Sequence, residues 1–485
     1  MMVRNGDVAS ASNYAPITGH LRAVGRRVQV YVDARDVAHV SEELLRDLVT
    51  TFDDRVFPTI ARTLAQANDV DGDGRFTVLI SGGLARLGGG EHAVDGFVRG
   101  ADLDPGVAAP FGNRCDMMYL STALAPGPHL RTIVAHEYTH AVTASVKALA
   151  GPGGTRTGLD EEGWLDEAIA HLAEDLLGFS RSNLDYRVSA FLSDPERYRL
   201  VVEDYYAAGL FRSHGNRGGT YLFLRWCADR FGPGLLSALV RSSHRGTANL
   251  EAATGVSFSR LYRDWSAALF LSGLGPGLDG TPQFRSLVVR GPFDDWELAG
   301  PRTARVVPGG PEDLWQSGGT SSHFVVVEPS AEGAVAIEVT GPAESVLQVT
   351  AVPLPPASAE IALSARLVPG PGGTSNLMAE ICEQQGAPVR LSALAWEPLV
   401  PTANPRKAEF RHGALDMLGI AARFGTSALP ARGRLASQPI PLAGVRRGSG
   451  PLLVKAVGTD SAGYRVAAWA IVNLSPRTDD ELPGS

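Results

Sequence analysis

The stretch that decides the reading is His136-Glu137-Tyr138-Thr139-His140, set in a run from Leu130 to Leu149 that is helical in pattern and free of Gly and Pro. Four residues along a helix turn about 400°, so both imidazoles leave the same face one turn apart. Two neutral imidazoles placed this way can bind one Zn²⁺ at roughly 2.0–2.1 Å. Glu137 points about 100° round the helix, where it reaches a water on the metal rather than the metal. Zinc lowers the pKa of such a water toward about 7, and a carboxylate can take its proton as it attacks a carbonyl. A five-residue pattern also arises by chance, and the alternative is a helix with two satisfied histidines.

A third ligand is sought downstream. Trp164-Leu165-Asp166-Glu167-Ala168 opens a second helix, Trp164 to Leu177, ended by Gly178. Leu165, Ile169, Leu172 and Leu176 make its core stripe, which puts Glu167, His171 and Glu174 together on another face. Packed against the first helix, that face presents Glu167 to the histidine pair and completes a His₂Glu zinc site with one open position. Taken alone, Glu167 also reads as an exposed first-turn acid favoured by the helix dipole.

HEYTH followed by WLDEA resembles the gluzincin clan of zinc metallopeptidases, which includes thermolysin and the zinc aminopeptidases with their WLNEG motif. The resemblance implies Glu167 as third zinc ligand. The 27 positions from His140 to Glu167 exceed the spacing in those two groups, and the Gly-rich loop at 151–154 can absorb the difference. A fuller pattern (DVDGDGR, GNRCDMMYL, HEYTH, WLDEAIAHLAEDLLG, TYLFLRWCADRFG) is more similar to the hyicolysin-type neutral zinc metallopeptidases over about residues 25–275. It implies a protein or peptide substrate, zinc as cofactor and a secreted or cell-envelope location.

Other positions stay open. In thermolysin-like enzymes an acid at the offset of His171 hydrogen-bonds a zinc-ligating histidine; here His171, with Glu174, is either such a support or a merely neighbouring residue. The resemblance also requires a donor for the oxyanion of the tetrahedral intermediate. Relatives place a Tyr shortly before a helix resembling Tyr221–Gly232; Arg217 stands near that position, with His214 and Tyr205-Tyr206 as other candidates, and each also reads as a solvated loop side chain. Asp69, Asp71 and Asp73 before Gly74 resemble a calcium loop, but the twelfth position is Ile80 rather than Glu, so a polar Asp-Gly turn competes with Ca²⁺.

Around this centre, 485 residues suggest several domains, and 44% hydrophobic with 20% charged residues is an ordinary globular balance. A net charge of −8 without a Lys/Arg cluster argues against a nucleic-acid or anionic-membrane partner. Cys115, Cys227 and Cys382 lie far apart and outside any metal-binding spacing, and read as buried thiols. Val466 to Leu474 is about half of the roughly 20 residues that span a bilayer. The N-terminus lacks the apolar core of a signal peptide, which fits a cytoplasmic protein or a leader missing from the gene start.

The expected fold class is α+β. Residues 1–22 read as a loose lead-in. Residues 23–275 read as a catalytic domain, in which a mixed sheet with strands at Val28–Val32, Phe76–Ile80 and Met117–Leu120 packs on the HExxH helix and a helical lobe carries Glu167. Ser41 is the expected cap of a helix burying Leu44, Leu45, Leu48 and Phe52. Beyond Gly275, Gly/Pro turns separate expected strands at His323–Glu328, Ala334–Val339, Val346–Val352 and Tyr464–Asn473, read as β-sandwich-like regions over 281–352 and 353–485. The expected function is zinc-dependent peptide-bond hydrolysis with Glu137 as general base. The alternative is a catalytically degenerate scaffold that binds or adheres through its β regions.

Overall fold

The computed structural model describes residues 2–3, 10–85, 94–150, 160–203, 205, 213–275, 283–294, 296–306, 318–327, 336–344, 346–354, 359–371, 374–399, 412–442 and 451–473. The Gly-rich loop at 151–154 and Tyr206 lie outside them. The chain mixes helices and several sheets and divides into two compact units, Met1–Val188 with Leu200–Tyr262, and Ser189–Arg199 with Arg263–Ser485.

In the first unit, five strands form one sheet: β1 (Gly19–Val24), β2 (Val28–Asp33), β3 (Phe76–Ile80), β4 (Gly96–Phe97) and β5 (Met117–Leu120), in the order β1-β2-β3-β5-β4. The middle strands run parallel, with Val28 opposite Phe76 and Thr77 opposite Met117, and every residue of β3 and β5 is buried. This is why Phe76–Ile80 is almost continuously apolar, broken only by Thr77, rather than alternating. The edge strands β1 and β4 run antiparallel to their neighbours. Residues 19–22, read from sequence as part of a loose lead-in, belong to the paired edge strand β1; their mixed, exposed side chains hid the ladder.

Helix α1 (Glu42–Thr51) starts where the Ser41 hydroxyl accepts the Leu44 N–H at 3.2 Å. A π-helical turn, Phe52–Val56, joins it to α2 (Phe57–Thr63). Helix α3 (Pro128–Ala148) carries the HExxH residues and packs on β4 and β5. Tyr138, inside the motif, inserts between Phe52 at 4.9 Å and Phe76 at 5.1 Å, both edge-to-face. This aromatic cluster ties the motif helix to α1 and the sheet.

Helix α4 (Gly163–Leu177) packs on α3 and ends at Gly178, whose φ of 66° is the left-handed cap geometry glycine favours. It is buried almost all round, so its polar face is interior too, while Leu176, expected in the core stripe, is exposed. Next come α5 (Asp185–Ser193), α6 (His214–Phe231), α7 (Leu235–Arg241), α8 (Gly246–Thr254) and α9 (Phe258–Leu271). Helix α6 begins seven residues before the expected Tyr221 because Ser213 caps it, accepting the Asn216 N–H at 3.4 Å. His214 and Arg217 are therefore first-turn helical residues, not part of a preceding loop.

A buried ion pair fixes the approach to α4. Lys147, fully buried near the end of α3, meets Glu161 at 2.9 Å and donates to the Ser242 and His244 carbonyls at 3.1 and 2.7 Å. Glu161 in turn accepts the Gly246 N–H and the Asn249 amide, both at 2.7 Å.

The second unit is mainly β. It contains the hairpin β6 (Arg290–Phe293) and β7 (Trp296–Ala299), and the parallel pair β8 (Ala304–Val306) and β9 (Val325–Val327). One sheet comprises β10 (Ile361–Pro369), β11 (Ser375–Glu383), β15 (Arg434–Ala436) and β16 (Ile440–Leu442). The other comprises β12 (Val389–Pro398), β13 (Gly413–Asp416), β14 (Ala428–Leu429), β17 (Leu452–Asp460) and β18 (Arg465–Val472), with α10 (Met417–Phe424) following β13. Leu377 and Ile381 of the first sheet and Leu391, Leu394 and Val454 of the second belong to one core. Glu397 and Lys455 form a buried pair at 2.9 Å, closed by Ser189. Of the strands expected at Ala334–Val339 and Val346–Val352, the described residues 336–339 and 346–352 form none and are almost all exposed. Alternating apolar residues make a strand only where a neighbouring edge takes up their backbone groups. Among the described residues no helix is long and apolar enough to cross a membrane.

Lys147→Met leaves Glu161 buried without its cation, and loss of one partner of such a pair costs roughly 3–5 kcal/mol. Urea unfolding of the variant is expected to show that loss; an unchanged midpoint would mean that the network does not hold α3 to the approach to α4.

Candidate metal centre

Four ring nitrogens and three carboxylates on α3 and α4 define the geometry. The Nε2 atoms of His136 and His140 stand 3.0 Å apart, and Glu167 Oε2 lies 3.5 Å from the first and 3.9 Å from the second. Zinc bonds of about 2.0–2.1 Å at tetrahedral angles require ligand atoms roughly 3.3–3.5 Å apart, which these separations bracket. All three side chains are largely buried.

Each imidazole has its own carboxylate behind it. His136 Nδ1 donates to Glu174 Oε1 at 2.5 Å, and His140 Nδ1 donates to Asp166 Oδ2 at 2.7 Å. With both Nδ1 protons so engaged, both Nε2 lone pairs point at the shared space. Two lone pairs 3.0 Å apart repel unless a cation lies between them. The surrounding acids create the same demand. Burial works against protonation of both rings, yet Asp166, Glu167 and Glu137 push His140 up to about 10, and Glu167 and Glu174 raise His136. Burial also opposes ionisation of Glu167, but the Arg217 guanidinium and the two histidines hold its carboxyl well below the usual range. Two imidazoles, one anionic oxygen and a matching spacing fit a zinc ion.

Glu137 is buried beside this group without belonging to it, and burial pushes its carboxyl up. Gly96 of β4 passes directly over it: a Cβ at Gly96 would fall 2.9 Å from Glu137 Cγ and 3.0 Å from Leu120. Only glycine lets the edge strand run this close to the carboxylate.

Of the residues named from sequence as supports, Glu174 meets His136, while His171 donates its Nδ1 to the same Glu174 oxygen at 3.0 Å. Burial pushes His171 down to about 3, and its Nε2 stands 4.0 Å from Glu167 Oε2. Asp166, behind His140, is a support that helical periodicity does not single out, although the WLDEA run places an acid one step before Glu167. Among the oxyanion-donor candidates, Arg217 is brought to the site and pairs with Glu167. His214 packs edge-to-face on Tyr186 at 4.9 Å. Tyr205 is buried against the start of α4, where a Cβ on Gly163 would meet its Cβ at 2.8 Å.

Asp69, Asp71 and Asp73 also converge, but they are exposed and bond their own turn. Asp69 accepts the Gly72 and Gly74 N–H groups at 2.8 and 3.0 Å, and Asp73 accepts that of Arg75 at 2.8 Å.

No family model and no curated protein matches the chain. Among solved structures it is similar to Legionella pneumophila aminopeptidase A in complex with aspartic acid, at 10% identity and a TM-score of 0.28, over 89% of this chain and 38% of that one. The chain thus spans well under half of that neighbour, and so distant a likeness carries no argument about chemistry.

Asp166→Asn keeps the shape of the His140 support but removes its charge. Supports of this kind are worth about 10–100-fold in metal affinity, so zinc titration against a competing chelator is expected to show a loss of that size. Wild-type affinity in the variant would mean that Asp166 does not orient His140.

Proposed function

We propose that this chain is a gluzincin-type zinc peptidase, nearest in pattern to the hyicolysin-type enzymes, with His136, His140 and Glu167 as zinc ligands and Glu137 as general base. The observation that carries the reading is the convergence of two tautomer-fixed Nε2 atoms and one carboxylate oxygen beside a buried carboxylate that is not a ligand. When bound, zinc supplies Lewis acidity, which polarises a carbonyl and brings the pKa of a water to about 7.

The chain's own groups supply the rest. Glu137 takes the proton of the attacking water as its oxygen adds to the carbonyl carbon, then returns it to the leaving amine as the C–N bond breaks. Burial, by raising the Glu137 carboxyl, suits it to holding that proton between the two steps. Arg217 follows Ser213 by one helical turn and lies against Glu167, where its guanidinium can donate to the developing oxyanion. It stands in for the Tyr that related enzymes place near this point.

A peptide substrate is favoured by the sheet. Among the described residues, strand β4 pairs antiparallel with β5 alone, leaving the other side of Gly96–Phe97 at an edge next to Glu137. An extended peptide can add to such an edge through main-chain hydrogen bonds, which delivers a peptide bond rather than another ester or amide to the carboxylate.

Glu137→Gln is expected to retain one zinc per chain and lose casein or peptide hydrolysis, while Arg217→Met keeps the zinc and drops kcat by about 10²–10³. Wild-type protein that holds one zinc and cleaves no more than Glu137→Gln would overturn the peptidase reading.

A further inference from the structure

Resting on the reading of a metal held by His136, His140 and Glu167, we propose that Asn183 and Arg187 are positioning residues that act through Glu174 to hold His136 in its ligating orientation. Glu174 is fully buried, and one of its oxygens does all the work described. Its Oε1 accepts three N–H groups: His136 Nδ1 at 2.5 Å, Asn183 Nδ2 at 2.8 Å and His171 Nδ1 at 3.0 Å. Among the described residues its Oε2 is buried without a hydrogen-bond partner. The carboxylate is therefore fixed by what meets Oε1 alone.

Asn183 has a defined polarity in this arrangement. Its amide nitrogen faces the Glu174 carboxylate, and its amide oxygen accepts from the Arg187 guanidinium, as does its own backbone carbonyl. A flipped amide would set its oxygen against a carboxylate and its NH₂ against a cation, so only one orientation satisfies both neighbours. Arg187 is buried and stacks over Tyr186 at 4.9 Å, and among the described residues it has no carboxylate within ion-pair distance. Its charge is answered by Glu174 across the Asn183 amide, a separated ion pair with a polar group between. Helix α6 closes on this point: a Cβ at Gly218 would lie 2.1 Å from the Arg187 carbonyl oxygen, so glycine permits the contact next to Arg217.

The consequence is a chain of support running Arg187, Asn183, Glu174, His136. It replaces the single acid that the His171 offset carries in thermolysin-like enzymes, and it leaves His171 as a third donor to Glu174. Without the Asn183 N–H, Glu174 loses one of three contacts on Oε1 and can turn toward its unpartnered side, releasing His136 Nδ1.

The test uses the full chain and Zn²⁺ alone. Zinc affinity is measured by chelator competition for wild type, Glu174→Gln, Asn183→Ser and the double variant, with the visible absorption of Co²⁺-loaded samples and apo-protein thermal melts alongside. Glu174→Gln is expected to weaken zinc about 10–100-fold and Asn183→Ser about tenfold, each with altered cobalt bands. The double variant is expected to be no weaker than Glu174→Gln, because the two residues act in series. Asn183→Ser at wild-type affinity, or a loss that adds in full to that of Glu174→Gln, overturns the proposal. Should Asn183→Ser fail to fold, Arg187→Gln serves the same cycle, with a several-fold loss expected in the wild-type background and none in Glu174→Gln. Wild type that binds zinc without hydrolysing peptide defeats the peptidase reading and leaves the support standing; wild type that binds no zinc defeats both.

Discussion

Two imidazole lone pairs held 3.0 Å apart inside a ring of carboxylates are the constraint on which the rest of the first unit depends. Such an arrangement is repulsive on its own, and it persists only because each ring is gripped from behind by an acid and because a cation can be shared in front. Asp166 and Glu174 do the gripping, Glu167 completes the front, and Arg217 limits the local excess of negative charge. The role proposed for Glu137 rests on the same packing, which buries it beside the cluster but outside the candidate ligand group.

The scaffold serves that constraint at both ends of α3. Tyr138 anchors the motif in an aromatic cluster with Phe52 and Phe76, so the histidines cannot turn without disturbing the sheet. Lys147 and Glu161 tie the far end of α3 to the residues that lead into α4, the helix that carries Glu167. A buried ion pair is a costly way to stabilise a fold, but it can specify one register between two elements, here the two helices that carry the candidate ligands. Gly96 and Gly218 work by omission, bringing an edge strand to Glu137 and α6 to Arg187.

Much of this was legible in the residues. The spacing of His136 and His140 and the shared helical face of Glu167, His171 and Glu174 follow from 3.6-residue periodicity, which local sequence reports well. The buried strands at Val28, Phe76 and Met117 were visible as apolar β-branched or bulky runs. What escaped notice depends on partners distant in sequence. Asn183 and Arg187 lie in no spacing pattern and acquire meaning only where the turn leading into α5 meets Glu174. The start of α6 at His214 rests on a serine cap in front of a Gly-rich turn, which reads as loop until Gly218 is seen pressed against Arg187. The apolar residues in Ala334–Val339 and Val346–Val352 resembled strands because a sequence shows side chains but not whether a neighbouring edge exists.

The central claim is that one divalent cation sits between His136, His140 and Glu167. X-ray absorption at the zinc K-edge of the purified, zinc-loaded protein tests it most directly. The account predicts a first shell of nitrogen and oxygen only, at about 2.0–2.1 Å, with the multiple-scattering signature of two imidazoles. A sulfur scatterer, fewer than two imidazoles or no stoichiometric zinc would contradict it.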